Sequence, residues 1–404
     1  MAMTRRAALG AGIATLGAPA LPRAQGRGGG PVRIGVLNDQ NGSFKDLSGT
    51  DSLHAVRMAV EDFGGTVLGR PVEVLGADHQ NKVDVGVGIA RRWFDEGVQL
   101  VLDVPNSAIC LGVQQLAREK GRVAIFTSGG TSDLTGRACS PNGVHWTYDT
   151  YALAAGVASG VLREGGKSWF FLTSDYAFGH ALQRDAARIV QAGGGRVAGE
   201  VKHPLNTADF SGFLLQARGS RAQVIGLANG SADTVNTIKQ AREFGIVQGG
   251  QRLAALLFFI TDVHSLGLEQ AQGIYLVEAF YWDQTPETRA WSRRFAERAR
   301  RPPTMLHATN YEATMHYLAA IRDAGTDEAM PVVERMRATP INSFMTSGAR
   351  IREDGRVMRD MYLYKVKAPD ASRYPWDYYE LAATIPAEQA FRPLAEGGCP
   401  MVRS

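Results

Sequence analysis

The chain has 404 residues, 45% of them apolar, which is more than one hydrophobic core usually serves, so two domains are expected. The formal net charge is +4, and Arg5, Arg6 and Arg23 near the N-terminus account for most of it. A balance this close to neutral excludes a nucleic-acid binder, which needs a clustered basic face.

The opening MAMTRRAALGAGIATLGAPALPRAQGRGGG is a basic pair, a short weakly apolar stretch, then small residues and proline. It reads as a secretory leader, because it is too short and too weakly apolar to span a bilayer. Residues 1–24 are expected to be an export signal cut after Ala24, and Thr4-Arg5-Arg6 resembles a twin-arginine signal. No cysteine follows the cleavage sites, so a lipid anchor is not expected. The chain has three cysteines. Cys139 and Cys399 lie in Gly/Pro-rich loop sequence and Cys110 in the apolar run SAICLGVQQLA, so a Cys139–Cys399 bridge and a buried free Cys110 are expected in an oxidising compartment.

From VRIGVL (32–37) onward, apolar alternation and helical spacing succeed one another. Helical Leu53, Val56, Val60 and Phe63 follow, then strand RPVEVLGA, helix VGVGIARRWFDEG, strand VQLVLDV, helix SAICLGVQQLAREKG and strand RVAIF. Strand followed by helix, repeated, predicts an α/β fold with parallel sheets covered by helices on both faces. The same grammar restarts at KSWFFLT (167–173), runs through a helix at 178–192, strand RVAGEV, helix ADFSGFLLQAR and strand AQVIGLA, and reaches the helix SADTVNTIKQAREFG. Two similar halves would face each other across a cleft, with ligands at the carboxyl ends of their strands. Beyond residue 284 the pattern is helical until the strand DMYLYKV, and the proline-rich tail from Tyr374 reads as an extended wrap.

The loop TSGGTSDLTG (127–136) lacks the Gly-x-Ser-x-Gly of a nucleophile elbow and the lysine of a phosphate loop. What remains is a ring of hydroxyls and N–H groups suited to a carboxylate, or an ordinary capped turn. Tyr148, Tyr151, Tyr176, Phe178 and Trp282 stand near expected strand ends or crossings, where they could pack or touch an apolar ligand. Asp78, His79 and Asp84 read as turn chemistry, and neither a metal site nor a cofactor is expected.

In order and spacing, NGSFKDLSG, AVRMAVEDFGG, ADHQNK, TSGGTSDLTG, TSDYAFGHAL and IKQAREFG resemble the periplasmic solute-binding proteins of ABC importers, of the leucine/isoleucine/valine-binding type. The resemblance implies two Rossmann-like lobes joined by three crossover segments and closing on a ligand. It places residues 31–148 and 280–340 in the first lobe, 149–279 and 341–374 in the second, and 375–404 in a wrapping tail. It assigns Gly129, Gly130 and Thr131, with Ser128 beside them, to a carboxylate cup, and Asn106 and Ser107 to its neighbouring loop. Phe178 and the loop of Asn229, Gly230 and Ser231 would supply the second lobe's edge. The family's amino-acid binders offer a Glu to the ligand's ammonium, and FFITDVHSLGLEQ holds no equivalent; Asp262 and Asp175 are the nearby acids. That gap favours an apolar or aromatic acid over an amino acid. The implied protein is a monomeric, non-enzymatic periplasmic component delivering a small molecule to a membrane permease, with a sensory adaptor or an exported enzyme on the same fold as alternatives.

Overall fold

The computed structural model describes residues 29–402, so the expected export signal at 1–24 lies outside the described residues. Val32–Asn38 begins the first sheet. Val32, Ile34 and Val36 are fully buried there because helices cover both faces, as parallel sheets require. The sheet order is Thr66–Val67, Arg70–Asp78, Val32–Asn38, Leu100–Asp103, Val123–Phe126 and Gly143–His145. All of its pairings are parallel except that of the short Thr66–Val67 strand. Helix Met305–Ala324 returns from late in the sequence and adds Ala313, Tyr317, Leu318 and Ile321 to the core around Val32 and Ile34.

A second parallel sheet has the order Arg252–Ala255, Val224–Ala228, Ser168–Ser174 and Arg196–His203. Beside it an antiparallel sheet joins Tyr275–Glu278, Met361–Val366 and Tyr379–Ile385. The tail therefore does more than wrap, because Tyr379–Ile385 is a paired strand. Cys139 and Cys399 form a disulfide with their Cα atoms 5.6 Å apart, fastening the tail to the loop after the cup. Cys110 is a buried free thiol. Among the described residues no helix is long and apolar enough to cross a membrane.

The chain passes between the lobes three times, between Trp146 and Thr150, between Glu278 and Pro286, and between Met358 and Met361. The third passage lies later than expected. Residues 341–358, assigned from sequence to the second lobe, pack with the first: Ile341, Ala349, Ile351 and Val357 share the core of Val32 and Ile34. The reason is the small hairpin Arg350–Ile351 with Val357–Met358, where Arg356 bridges to His145 at the end of the first sheet. One apolar cluster spans both lobes, with Phe44, Leu47 and Met305 from the first and Phe178, Leu256 and Phe259 from the second.

Candidate ligand-binding site

Strand Leu100–Asp103 ends in two residues with positive φ, Asp103 at 86° and Val104 at 56°. This turn delivers Asn106 to the N-cap of helix Ser107–Lys120, where its Oδ1 accepts from Ala108 N at 3.0 Å and Ile109 N at 3.3 Å. Asn106 is thus a structural cap, and Ser107, fully buried, opens the helix. Its Oγ accepts the Thr131 N–H at 3.2 Å, so the two loops meet here. Thr131 in turn caps the 3₁₀ turn Ser132–Thr135, its Oγ1 accepting from Asp133 N at 3.3 Å. Both hydroxyls are used as acceptors, so both protons are left to donate. Neither these protons nor the N–H groups of Ser107 and Gly130 have an acceptor among the described residues.

The glycines follow from crowding. A Cβ on Gly129 would lie 2.2 Å from Cys110 Sγ, and one on Gly130 would lie 2.6 Å from the Phe178 ring and 3.0 Å from the Tyr148 ring. His145 Nε2 meets the Gly129 carbonyl at 2.6 Å and must be its donor. Burial, and then the Arg356 charge, push the His145 imidazole well below its usual range, so it is neutral. In a trans peptide the C=O and the next N–H point in opposite directions, so this bond aims the Gly130 N–H away from His145. Tyr148 donates its hydroxyl to the Ser128 carbonyl at 2.8 Å and sets its ring edge-on to Phe259 at 6.3 Å. The Ser128 hydroxyl turns down to Asp103, away from the cup's open donors.

From the second lobe, Phe178 reaches the cup and Tyr176 lies beside it, ring centroids 6.1 Å apart. Other expected positions serve elsewhere. Asn229 is held inside by His203 at 3.2 Å and Thr234 at 2.7 Å, and Gly230 packs on Leu257. Asp262 accepts from Phe259 N at 2.9 Å at the start of its own helix, and burial pushes its carboxyl up to about 7. Asp175 is exposed and pairs with His180 at 2.8 Å. Trp282 donates to the Trp376 carbonyl at 3.0 Å and packs edge-on to Tyr374, on the tail. Tyr151 is half-buried, its phenol in the fields of Glu396 and Arg188 rather than of the cup.

Ser231 closes the Asn229–Ser231 loop expected at the second lobe's edge, whereas sequence reasoning passed over Asp233. Both are buried beyond the carboxyl end of strand Val224–Ala228, and Ser231 Oγ and Asp233 Oδ1 have no hydrogen-bond partner among the described residues. In Gly-Ser-Ala-Asp-Thr Asp233 looks like an ordinary helix-start residue, so its one signal was its place after a strand.

The profile of the family described as periplasmic binding protein matches residues 31–372. The chain belongs to the periplasmic binding protein family. A periplasmic binding protein from Burkholderia mallei is 46% identical, with TM-score 0.92 over 93% of this chain and 100% of that one. A branched chain amino acid ABC transporter periplasmic ligand-binding protein from Burkholderia xenovorans LB400 is 37% identical, TM-score 0.82, over 92% and 99%. The fold is also that of an ABC transporter solute binding protein from R. palustris solved in complex with benzoate, 18% identical, TM-score 0.79, over 92% and 100%. Binding proteins of this type take small-molecule ligands and deliver them to ABC permeases, and the family is one of solute binders rather than of enzymes. The two lobes are therefore those of a type I periplasmic binding protein.

Proposed function

We propose that this periplasmic binding protein captures a small organic carboxylate with an apolar or aromatic body, as a monomer, and presents its closed form to the membrane permease of an ABC importer. The observation that carries the reading is the set of uncommitted donors at one buried point. The Ser107 and Thr131 hydroxyls and the Ser107 and Gly130 N–H groups converge at the N-terminus of helix Ser107–Lys120, where the helix dipole favours an anion. Tyr148, Phe178 and Phe259 around it suit an apolar ligand body. Both ligand chemistries named for similar proteins, branched-chain amino acids and benzoate, carry a carboxylate.

A thermal-shift screen of amino acids and aromatic acids finds the ligand, since a compound at a hundred times its dissociation constant stabilises by about 2.7 kcal/mol. Thr131→Val then tests the cup by removing one donor at nearly constant volume. The expected loss of binding is about 1.5–3 kcal/mol by calorimetry, against about 1 kcal/mol of stability for the lost cap. Unchanged affinity would remove the loop from the carboxylate site.

A further inference from the structure

We infer that Asp233, with the Ser231 hydroxyl beside it, forms the second-lobe end of the ligand cleft and takes a hydrogen-bond donor, an ammonium or a hydroxyl, carried by the same ligand. This rests on the carboxylate reading above and specifies the other end of the molecule. Asp233 is 2% exposed and Ser231 4%, yet among the described residues Asp233 Oδ1 and Ser231 Oγ have no hydrogen-bond partner. A buried polar atom left unpaired is costly, and a ligand donor placed there removes the cost on closure. The other carboxylate oxygen, Oδ2, accepts from Asn206 N at 3.2 Å, which holds the side chain in place.

Three further observations place this pair on the cleft. First, it stands at the carboxyl end of a central strand of a parallel sheet, the side on which such sheets bind ligands. Second, Ser231 has φ 52° and ψ −130°, a conformation that L-residues rarely adopt and that persists only where the surroundings impose it. Third, the Tyr176 ring stands 6.1 Å from that of Phe178, which meets Gly130 of the cup, and its phenol is raised by burial and next by the Asp233 charge. Tyr176 therefore neighbours both the cup's Phe178 and Asp233. Asn206, whose N–H Asp233 holds, also meets Ser43 of the first lobe through its side chain, so Asp233 sits under the point where the lobes touch. Burial raises the Asp233 carboxyl to about 6, against the Asn206 and Thr207 N–H groups and Ser174, which favour its charged form. At neutral pH it is therefore mostly ionised, with Oδ1 buried and unpaired among the described residues. The acids expected to meet an ammonium, Asp262 and Asp175, are already engaged by the Phe259 N–H and by His180.

The test is calorimetry with two matched series: phenylalanine, 3-phenyllactate and 3-phenylpropionate, and leucine, 2-hydroxy-4-methylpentanoate and 4-methylpentanoate. Each is titrated into the wild type and Asp233→Asn at one pH and salt, with melting temperature as the check on folding. In at least one series the compound bearing an ammonium or hydroxyl should bind about tenfold to a hundredfold tighter than its unsubstituted acid. Asp233→Asn should remove that margin and leave the unsubstituted acid unchanged. The amino-acid arm against the hydroxy-acid arm identifies the donor. Equal binding of substituted and unsubstituted acids, or an equal loss for both in Asp233→Asn, overturns the assignment while leaving the cup standing. No binding by any of the six overturns the small-carboxylate reading, and the Asp233 assignment with it.

Discussion

Trp146 donates its indole N–H to Glu312 at 2.8 Å, tying the end of the first interlobe connection to helix Met305–Ala324. The same carboxylate holds Arg359, on the third connection, and the Ser343 hydroxyl at 2.6 Å. Burial alone would raise the Glu312 carboxyl, but the Arg359 charge and the bonds from Ser343, Arg359 and Trp146 outweigh it and hold the group below its ordinary value. One buried anion thus anchors two of the three segments that join the lobes.

Glu312→Ala should accordingly cost about 3–5 kcal/mol of unfolding free energy at pH 7, because it leaves the Arg359 guanidinium buried without its partner. The sign with pH follows from the lowered carboxyl. Its contribution is present above the ordinary glutamate range and fades as acid protonates the folded group, so wild type and Glu312→Gln should converge at low pH. Urea denaturation across pH measures both, and a Glu312→Ala variant within about 1 kcal/mol of wild type would dismiss the anchor.

Gly130→Ala places a methyl 2.6 Å from the Phe178 ring and 3.0 Å from Tyr148. Phe178 belongs to the second lobe, so the methyl should wedge the lobes apart. The expected result is a ligand-free melting temperature near wild type, an affinity lower by about 1–3 kcal/mol, and less ligand-induced compaction in small-angle scattering. Wild-type affinity and compaction would show that the lobes do not close on this glycine.

Glu278 is 1% exposed, accepts the Tyr379 hydroxyl at 2.8 Å, and is pushed up to about 8 by burial. The folded protein holds this proton more tightly than the unfolded chain. The cost of ionising it is therefore full above about pH 8 and vanishes below the ordinary carboxyl range. Glu278→Gln should be more stable than wild type by about 2–4 kcal/mol at pH 9 and nearly equal to it at pH 4. A stability difference independent of pH would contradict the assignment.

The Cys139–Cys399 bridge spans 260 residues and lies where Arg392 donates to the Ser132 carbonyl at 3.1 Å, next to the cup. The double Cys→Ser variant should lose about 5–6 kcal/mol by the chain-entropy account. Unreduced protein should yield one thiol, and only on denaturation, because Cys110 is buried. Three free thiols, or an unchanged stability, would refute the bridge.

The sequence by itself determined the architecture. Alternating strands and helices with Gly and Asn at their junctions can bury their apolar faces only as parallel sheets between helices, and the restart at residue 167 announced the second lobe. The TSGGTSDLTG loop stood out as a polar break after a strand, which is a local feature, whereas Ser107 was implied only by the family resemblance. What tertiary structure alone decided is how each polar side chain is spent. Trp282 and Tyr151 are aromatics at plausible crossings, but the tail's fold brings Trp376 to one and Glu396 near the other. Asp262 looked available and is consumed by its own helix start, while Asp233 looked like a helix-start residue and retains a free oxygen. Residues 341–358 joined the first lobe because a hairpin found the edge at His145. Hydrogen-bond partners distant in sequence are chosen by the packing of whole elements, and no local pattern encodes that choice.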